Sequence, residues 1–512
     1  MESQKRIARS TGVVSAGIMI SRISGYLRDM SIAAVFGANW VTDAFFIAFR
    51  IPNLFRKLLG EGALSMGFIP IFTKYLTTEK KEETWKLASL VINLLLVVSS
   101  LITLFVLAFP QILVRLIAPG EAFMASGAFK LAITLTRIMF PFMIFICLAA
   151  LVMGMLNSLS HFFTPAFASA LLNLSMIASC FLLAPLFSDP IIGLAIGVLI
   201  GGVLQLLIQI PPLLRRGFRY SYIFDLAHPG LKELLRLFVP ATLGLATTQL
   251  SVVIGSILAS MLAKGSISYL YNADRLIELP VSLFGVALAQ VTFPAISRQI
   301  ASSNLKKAGE TITLSLRMII FACLPATIGL LTLGKPIISL LLERGNFTSA
   351  ATLATNKALI FYSLGIISYA TLKAIIPAFY ALRDTKTPVF VGFLTLALNV
   401  ILSWLFMWGP LKHAGLALAT SISASIQAGI LFFLLSKKMG NINTGELLAT
   451  FAKTFLATLL MGIFCAWINV GIENLYLKVA LGVFGGVTIF GFTTYLLKMN
   501  EVSLILKLFK KS

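Results

Sequence analysis

The sequence predicts an all-α polytopic membrane protein with fourteen transmembrane helices, built as two pseudo-symmetric six-helix lobes plus two C-terminal helices. Three observations carry that prediction. The 512 residues are 58% hydrophobic and only 12% charged, with a mean hydropathy of +0.95, whereas soluble domains carry about 25% charged residues. Apolar runs long enough to cross a bilayer recur along the chain and leave no room for a large soluble domain. Positive charge alternates between successive loops.

In order, the candidate spans are 11–36, 40–75, 86–114, 126–156, 163–187, 190–214, 234–262, 266–297, 311–334, 354–381, 387–409, 414–436, 447–471 and 474–498. The first is too long, and too rich in arginine, for the apolar region of a signal peptide. The second and eighth exceed a straight crossing. Pro52, Gly60, Gly62 and Pro70 in the one, and Pro280 and Pro294 in the other, predict bending or extension beyond the bilayer. One set of loops holds Lys5, Arg6, Arg9; Lys74, Lys80, Lys81, Lys86; Arg215, Arg216, Arg219, Lys232; Arg298, Lys306, Lys307; Arg383, Lys386; Lys437, Lys438; and Lys507, Lys510, Lys511. The alternate loops, such as 37–41 and 187–190, are nearly neutral. The positive-inside rule then places both termini in the cytoplasm. A hairpin over 40–75 would put Lys74 to Lys86 outside, so that stretch is expected to be one long bent helix.

The net charge of +22, from 41 basic and 19 acidic residues, therefore reflects topology and anionic headgroups rather than nucleic acid. Cys147, Cys180, Cys323 and Cys465 lie far apart in apolar runs and are expected to be buried free thiols. His413, beside Lys412, is expected to be an exposed loop histidine.

The halves repeat at a spacing of about 223 residues. FRIPNLF (49–55) aligns with DRLIELP (274–280), pairing Arg50 with Arg275. GFIPIF (67–72) aligns with VTFPAI (291–296), pairing Pro70 with Pro294. TPAF (164–167) aligns with TPVF (387–390), and GLAIG (193–197) with GLALA (415–419). An even number of spans per copy gives parallel repeats, with a substrate site expected between the halves near the midplane. The resulting division is 1–220 for the N-terminal lobe, 221–440 for the C-terminal lobe, and 441–512 for two extra helices and a basic tail.

Charged residues inside spans point to function. An arginine costs roughly 2.5–3.5 kcal/mol at the centre of a membrane helix and cannot shed its charge. Arg22, Arg28, Arg50, Arg56 and Arg275 therefore imply a wet cavity or an anionic guest. In span one, Ser21, Gly25 and Arg28 share a face. Arg22 and Arg28 lie about 120° apart and can border one wide cavity; Asp29, seven residues after Arg22, is placed to neutralise it. In span two, Arg50, Asn53 and Lys57 share a face, Arg56 lies beside it, Asp43 sits at the outer end and Glu61 further inward. In span eight, Ser268, Tyr271, Arg275 and Glu278 form one face with Asp274 alongside, and Glu278 is placed to pair with Arg275 in the empty state. Asn157 and Asn173 flank TPAF and are expected to bond across helices. No P-loop, HExxH or G-x-S-x-G motif is present, so neither an enzyme, a metal site nor a cofactor is expected.

The motifs SRISGYLRD (21–29), TDAFFIAFRIPNLFRKLLGEGALSMGFIP (42–70), TPAFASALLNLSM, SISYLYNADRLIELP (266–280), FYALRDTKTPV and GPLKHAGLALA together resemble the MurJ (MviN) family of lipid II flippases, along nearly the whole chain and most weakly after about 440. That family belongs to a superfamily of multidrug, oligosaccharidyl-lipid and polysaccharide exporters. The resemblance implies a non-enzymatic protein of the bacterial inner membrane in peptidoglycan synthesis. Its substrate would be lipid II, an undecaprenyl-diphosphate glycopeptide, moved from the inner to the outer leaflet. Membrane lipids, and proteins of cell-wall synthesis, are the other expected partners. It also implies that Arg22, Arg28, Arg56 and Arg275 bind substrate, with Ser21 and Ser268 lining the same cavity and Arg50 at a position that is basic in relatives; Asn53 joins them by its place on the Arg50 face. Asp43, matching the family's acidic residue at the start of the second span, joins Asp29, Glu61, Asp274 and Glu278 in charge pairing or gating. The last two spans would form a lipid groove. Some relatives bind sodium through a carboxylate on the seventh span; here 237–262 contains no Asp or Glu, so that site does not carry over.

Arginine suits a diphosphate because it holds phosphate by bidentate, charge-assisted bonds. Alternating access would rock one lobe against the other. The membrane potential favours outward movement of an anion by about 2.3 kcal/mol per charge per 100 mV, so it or an ion gradient could drive the cycle. The rivals are a flippase for another polyprenyl-diphosphate glycan and a cation-coupled multidrug exporter, which would need cavity carboxylates.

Overall fold

The computed structural model describes residues 2–440 and 442–503, without the side chains of 2–16, 18, 61–66, 239–241 and 243–248. Of the charges used to orient the chain, the side chains of Lys5, Arg6 and Arg9 are not described, and Lys507, Lys510 and Lys511 lie outside the described residues. Among the described residues there is no strand. Nine helices among the described residues are long and apolar enough to cross a membrane, and two helix pairs there qualify as spans bent at a break. The chain forms two compact units, Met1–Ile267 and Ser268–Ser512.

The first unit begins with α1 (Glu2–Phe36). Asn39 then caps α2 (Trp40–Phe55) through a capping box with Thr42. The expected long bent helix is present, but its irregularity is a π-helical turn, Arg56–Gly62, that leads directly into α3 (Ala63–Thr78). Next come α4 (Lys81–Ala108), the broken pair α5 (Ala128–Met139) and α6 (Phe142–Ser158), then α7 (Phe163–Leu182), α8 (Ile191–Leu207) and α9 (Pro229–Ser260). The uninterrupted third and fourth spans need correction. Helix α4 stops at Ala108 and a short helix restarts at Pro110, while α5 and α6 meet at 43° beside Pro141. A proline removes a backbone donor and clashes with the preceding turn, so these are natural break points.

Helix α7 packs between α1 and α8. Gly197 and Gly201 make the close approach of α7 and α8 possible, and Gly193 that of α8 to the turn after α7: a Cβ at Gly193 would lie 2.5 Å from the Ala184 nitrogen, and one at Gly197 2.5 Å from the Ser179 Cβ.

The second unit repeats this logic. Helix α10 (Ser266–Pro280), which starts just before the boundary, enters a second π-helical turn, Val281–Val286, and continues as α11 (Ala287–Ala301). The two π turns stand at nearly the repeat spacing, as do the two broken spans. The second broken span is α13 (Ser349–Ser363) with α14 (Ile366–Ala381), bent by 46°, where the sequence suggested an unbroken tenth span. Before it runs α12 (Leu305–Leu342), capped by Asn304; after it come α15 (Lys386–Met407) and α16 (His413–Met439). Gly415 on α16 meets Phe406 as Gly193 meets Ala184, and a Cβ there would lie 2.8 Å from the Phe406 carbonyl oxygen. Thus GLAIG and GLALA match because both are helix-crossing points. His413 is not an exposed loop residue. It opens α16 half-buried, with Nε2 2.9 Å from the Ala354 carbonyl and its ring 5.4 Å from that of Tyr269. The four cysteines are buried free thiols.

The final helices, α17 (Thr444–Gly471) and α18 (Leu475–Leu496), start at Asn443 and Asn474 caps. Helix α17 packs along α12. Arg317 of α12 is the polar anchor: it pairs with Glu446 at 2.6 Å and with the buried Glu501 at 2.8 Å, and Thr450 donates to the same Glu501 oxygen. Arg317→Met would strand a buried carboxylate. It is expected to lower stability by about 3–5 kcal/mol, read as a fall in the thermal midpoint of the detergent-solubilised protein; an unchanged midpoint would refute the anchor.

Candidate functional site

The clearest site lies in the first unit, in a cavity of about 340 Å³. Its polar wall is Ser21 and Arg22 from α1, Arg56 from the π turn, Ser169 from α7, Gln205 from α8 and Gln209 from the turn just after it. Ile146, Ala149, Ala150 and Met153 of α6, with Pro165 and Ala166 of α7, complete it. The π turn matters locally. A wider turn shifts the register of the helix face, and Arg56, its first residue, is among the cavity-lining side chains. Ser21 accepts a hydrogen bond from the Ser169 hydroxyl at 2.9 Å, which closes one side of the wall. Two guanidiniums, two hydroxyls and two carboxamides around one space, with no carboxylate among the described lining residues, suit an anion that also carries hydroxyl or amide groups.

Arg28 is placed differently. It is 7% exposed and does not line this cavity. Its Nε and Nη2 donate to Asp29 Oδ1 at 3.0 and 2.7 Å, and its Nη1 donates to Asn173 Oδ1 at 3.0 Å. The Asn173 amide donates in turn to the Ser21 carbonyl and the Ser24 hydroxyl, so it bonds across helices as expected. The expected Arg22–Asp29 neutralisation is corrected here: Asp29 pairs with its chain neighbour, because the long guanidinium arm of Arg28 folds back onto it. Asn173 thus bonds Ser21 and Arg28 of the expected Ser21–Gly25–Arg28 face, and Ser24 beside it.

Arg50 donates to the Ser256 hydroxyl and so joins α2 to α9. Asn53 turns back to its own helix, donating to the Phe49 carbonyl at 2.7 Å, and is not among the cavity-lining residues. Asp43 is buried in the first turn of α2, where a negative charge is favoured by the helix dipole. Its Oδ2 accepts from the Gly265 N–H at 2.6 Å, and Gly265 has φ +87°, a backbone region that favours glycine. Asp43 thereby fixes the loop that follows α9. The side chain of Glu61 lies outside the described residues.

In the second unit the expected face of α10 is present. Arg275 Nη1 bonds Glu278 Oε2 at 2.6 Å, and its guanidinium lies 5.9 Å from the centroid of the Tyr271 ring. Ser268 is buried one turn earlier and Asp274 is exposed. Gln205, Gln209 and Ser169 were not singled out from the sequence. The signal was available for the glutamines: two carboxamides four residues apart in an otherwise apolar helix are costly unless they face a polar space.

Apolar helices long enough to cross a membrane, bent spans recurring at one spacing and a cation-lined cavity define a polytopic membrane protein with an internal site suited to an anion. A family model described as "Lipid II flippase MurJ" matches residues 32–483. A "Probable lipid II flippase MurJ" of Vibrio cholerae is 36% identical over 434 residues, covering 84% of this chain and 82% of the relative. A "Lipid II flippase MurJ" of Burkholderia cenocepacia is 34% identical over 435 residues, covering 84% of each. The solved structure titled "Lipid II flippase MurJ, inward closed conformation" superposes with a TM-score of 0.81 at 30% identity, covering 94% of this chain and 98% of the other. An inward-facing multidrug transporter of the MATE family matches at a TM-score of 0.70 and 15% identity, a likeness of fold alone. The chain belongs to the MurJ lipid II flippase family.

Proposed function

We propose that this protein flips lipid II, or its immediate chemical equivalent, from the inner to the outer leaflet of the bacterial inner membrane by alternating access. The observation that carries this is the cavity holding Arg22 and Arg56 with Ser21, Ser169, Gln205 and Gln209, and no carboxylate among the described lining residues. A diphosphate brings about two negative charges for the arginines, while the sugar hydroxyls and acetamido groups match the carboxamides. A cationic drug would find only repulsion there.

Arg28 and Arg275 extend the reading. Each is held by a carboxylate, Asp29 at 2.7 Å and Glu278 at 2.6 Å. An anionic headgroup competes with such a carboxylate for the same fork, so these pairs are proposed as charge switches in the empty protein, with Asp43, Asp274 and Glu61 as further gating carboxylates. Ser268, Arg50 and Asn53 are proposed as supporting polar groups along the path. The chain is further proposed to have fourteen spans and cytoplasmic termini. Its lobes are 1–220 and 221–440, and 441–512 adds two helices. Outward movement is driven by the membrane potential or an ion gradient.

The test is rescue of a bacterium depleted of its own lipid II flippase, with surface-exposed lipid II measured directly. Wild type is expected to rescue, and Arg22→Ala and Arg275→Ala, at matched membrane levels, are not. Failure of expressed wild type would move the substrate to another polyprenyl-diphosphate glycan. Rescue by all three would make the arginines structural.

A further inference from the structure

Between α8 and α9 the chain runs as an extended strap, Phe218–Asp225, along one face of α4. Trp85, Ser89 and Asn93, at four-residue intervals, form that face. The Phe218 ring meets Trp85 edge-on at 5.5 Å. The Ser221 N–H donates to the Ser89 hydroxyl at 3.1 Å. The Asn93 amide donates to the carbonyls of Ile223 at 3.0 Å and Ser221 at 3.4 Å, and Asn93 Oδ1 accepts from the Tyr220 hydroxyl at 2.6 Å. From Trp85 to Asn93 the strap therefore climbs about two helical turns, roughly 12 Å. It then returns: His228 caps α9 by accepting from the Gly230 N–H, and its Nε2 lies 3.5 Å from Glu83.

Asn93 lies well inside the apolar part of α4, so the strap dips into the membrane edge. Irregular backbone survives there only when protein satisfies its polar groups, which is what Ser89 and Asn93 do. The outward side is aromatic. Tyr222 is 81% exposed, and its ring is T-shaped to that of exposed Phe224 at 5.3 Å. At the base stand exposed Arg215 and Arg219. Among the described residues neither has a carboxylate partner, whereas nearby Lys74 and Lys86 pair with Glu233 and Glu83. Arg216 is occupied by the Pro212 carbonyl and His161.

We propose that this strap is a binding site for an anionic phospholipid, with Arg215 and Arg219 holding the headgroup phosphate and Tyr222 and Phe224 lying against the start of the acyl chains. The site is separate from the arginine cavity and does not depend on what that cavity carries.

The test uses the full-length protein in nanodiscs of phosphatidylcholine containing phosphatidylglycerol, with retained lipids counted by native mass spectrometry. R215Q/R219Q is expected to lower phosphatidylglycerol retention about thirtyfold relative to phosphatidylcholine, the loss of two arginines at a charged surface. Its thermal midpoint should be unchanged, and R215K/R219K should retain most of the binding. Equal retention by wild type and R215Q/R219Q would overturn the proposal, as would equal retention of both lipids by wild type. A dimer that dissociates in R215Q/R219Q would overturn it in favour of a second copy of the chain.

Discussion

Replacing Arg22 and Arg56 together by alanine is expected to abolish transport while leaving the fold intact. Both line the cavity, presented by α1 and by the first residue of the π turn, with no carboxylate among the described lining residues. A charge-assisted bond to phosphate contributes about 1.5–3 kcal/mol. Each single substitution should therefore slow flipping roughly tenfold to a hundredfold, and the pair should bring it to background. Lysine at either position keeps the charge but not the planar fork, so it should recover only part of the rate. The measurement is the rate at which labelled lipid II becomes accessible on the far side of proteoliposomes, at matched protein density. A double variant with an undiminished rate would exclude the cavity from the transport path.

The second large effect is on stability. Asp29→Ala removes the carboxylate from a guanidinium that is 7% exposed. Breaking a buried pair from one side costs about 3–5 kcal/mol, because the remaining charge loses its compensation. Low yield and a depressed thermal midpoint are expected in detergent. Arg28→Met/Asp29→Leu removes both charges at similar volume and should restore much of the midpoint. If Asp29→Ala alone is as stable as wild type, the Arg28–Asp29–Asn173 network does not hold α1 to α7.

The all-helical apolar architecture, the recurring bends and the placement of Arg22 and Arg56 at a polar space were legible because each rests on local pattern: apolar runs, paired prolines, and charges where charge is costly; Arg28 and Arg50, read with them, instead bond Asp29 and Ser256. The pair of Arg275 with Glu278 followed from three-residue helical spacing. Other features needed the third dimension. The sequence flagged Pro52 and Pro70, but the distortion falls between them as a π turn, since prolines show where a helix weakens and not how it relaxes. The breaks beside Pro141 and Gly365 sit in unbroken apolar sequence, where hydropathy carries no signal. Helical angles suggested Asp29 for Arg22, but they ignore the reach of an arginine side chain, and Arg28 is closer. The Arg317 anchor joins residues more than a hundred positions apart, and the strap is held by Ser89 and Asn93, which look like ordinary polar interruptions of a span.

The most direct test of the central claim is transbilayer movement of purified lipid II by the purified protein. Wild type and Arg22→Ala/Arg56→Ala would be compared in proteoliposomes with and without an imposed potential. The account predicts flipping by wild type, faster when the potential favours outward movement of the anion, and background rates for the variant. Equal rates for the two proteins, or no movement by correctly folded wild type, would contradict it.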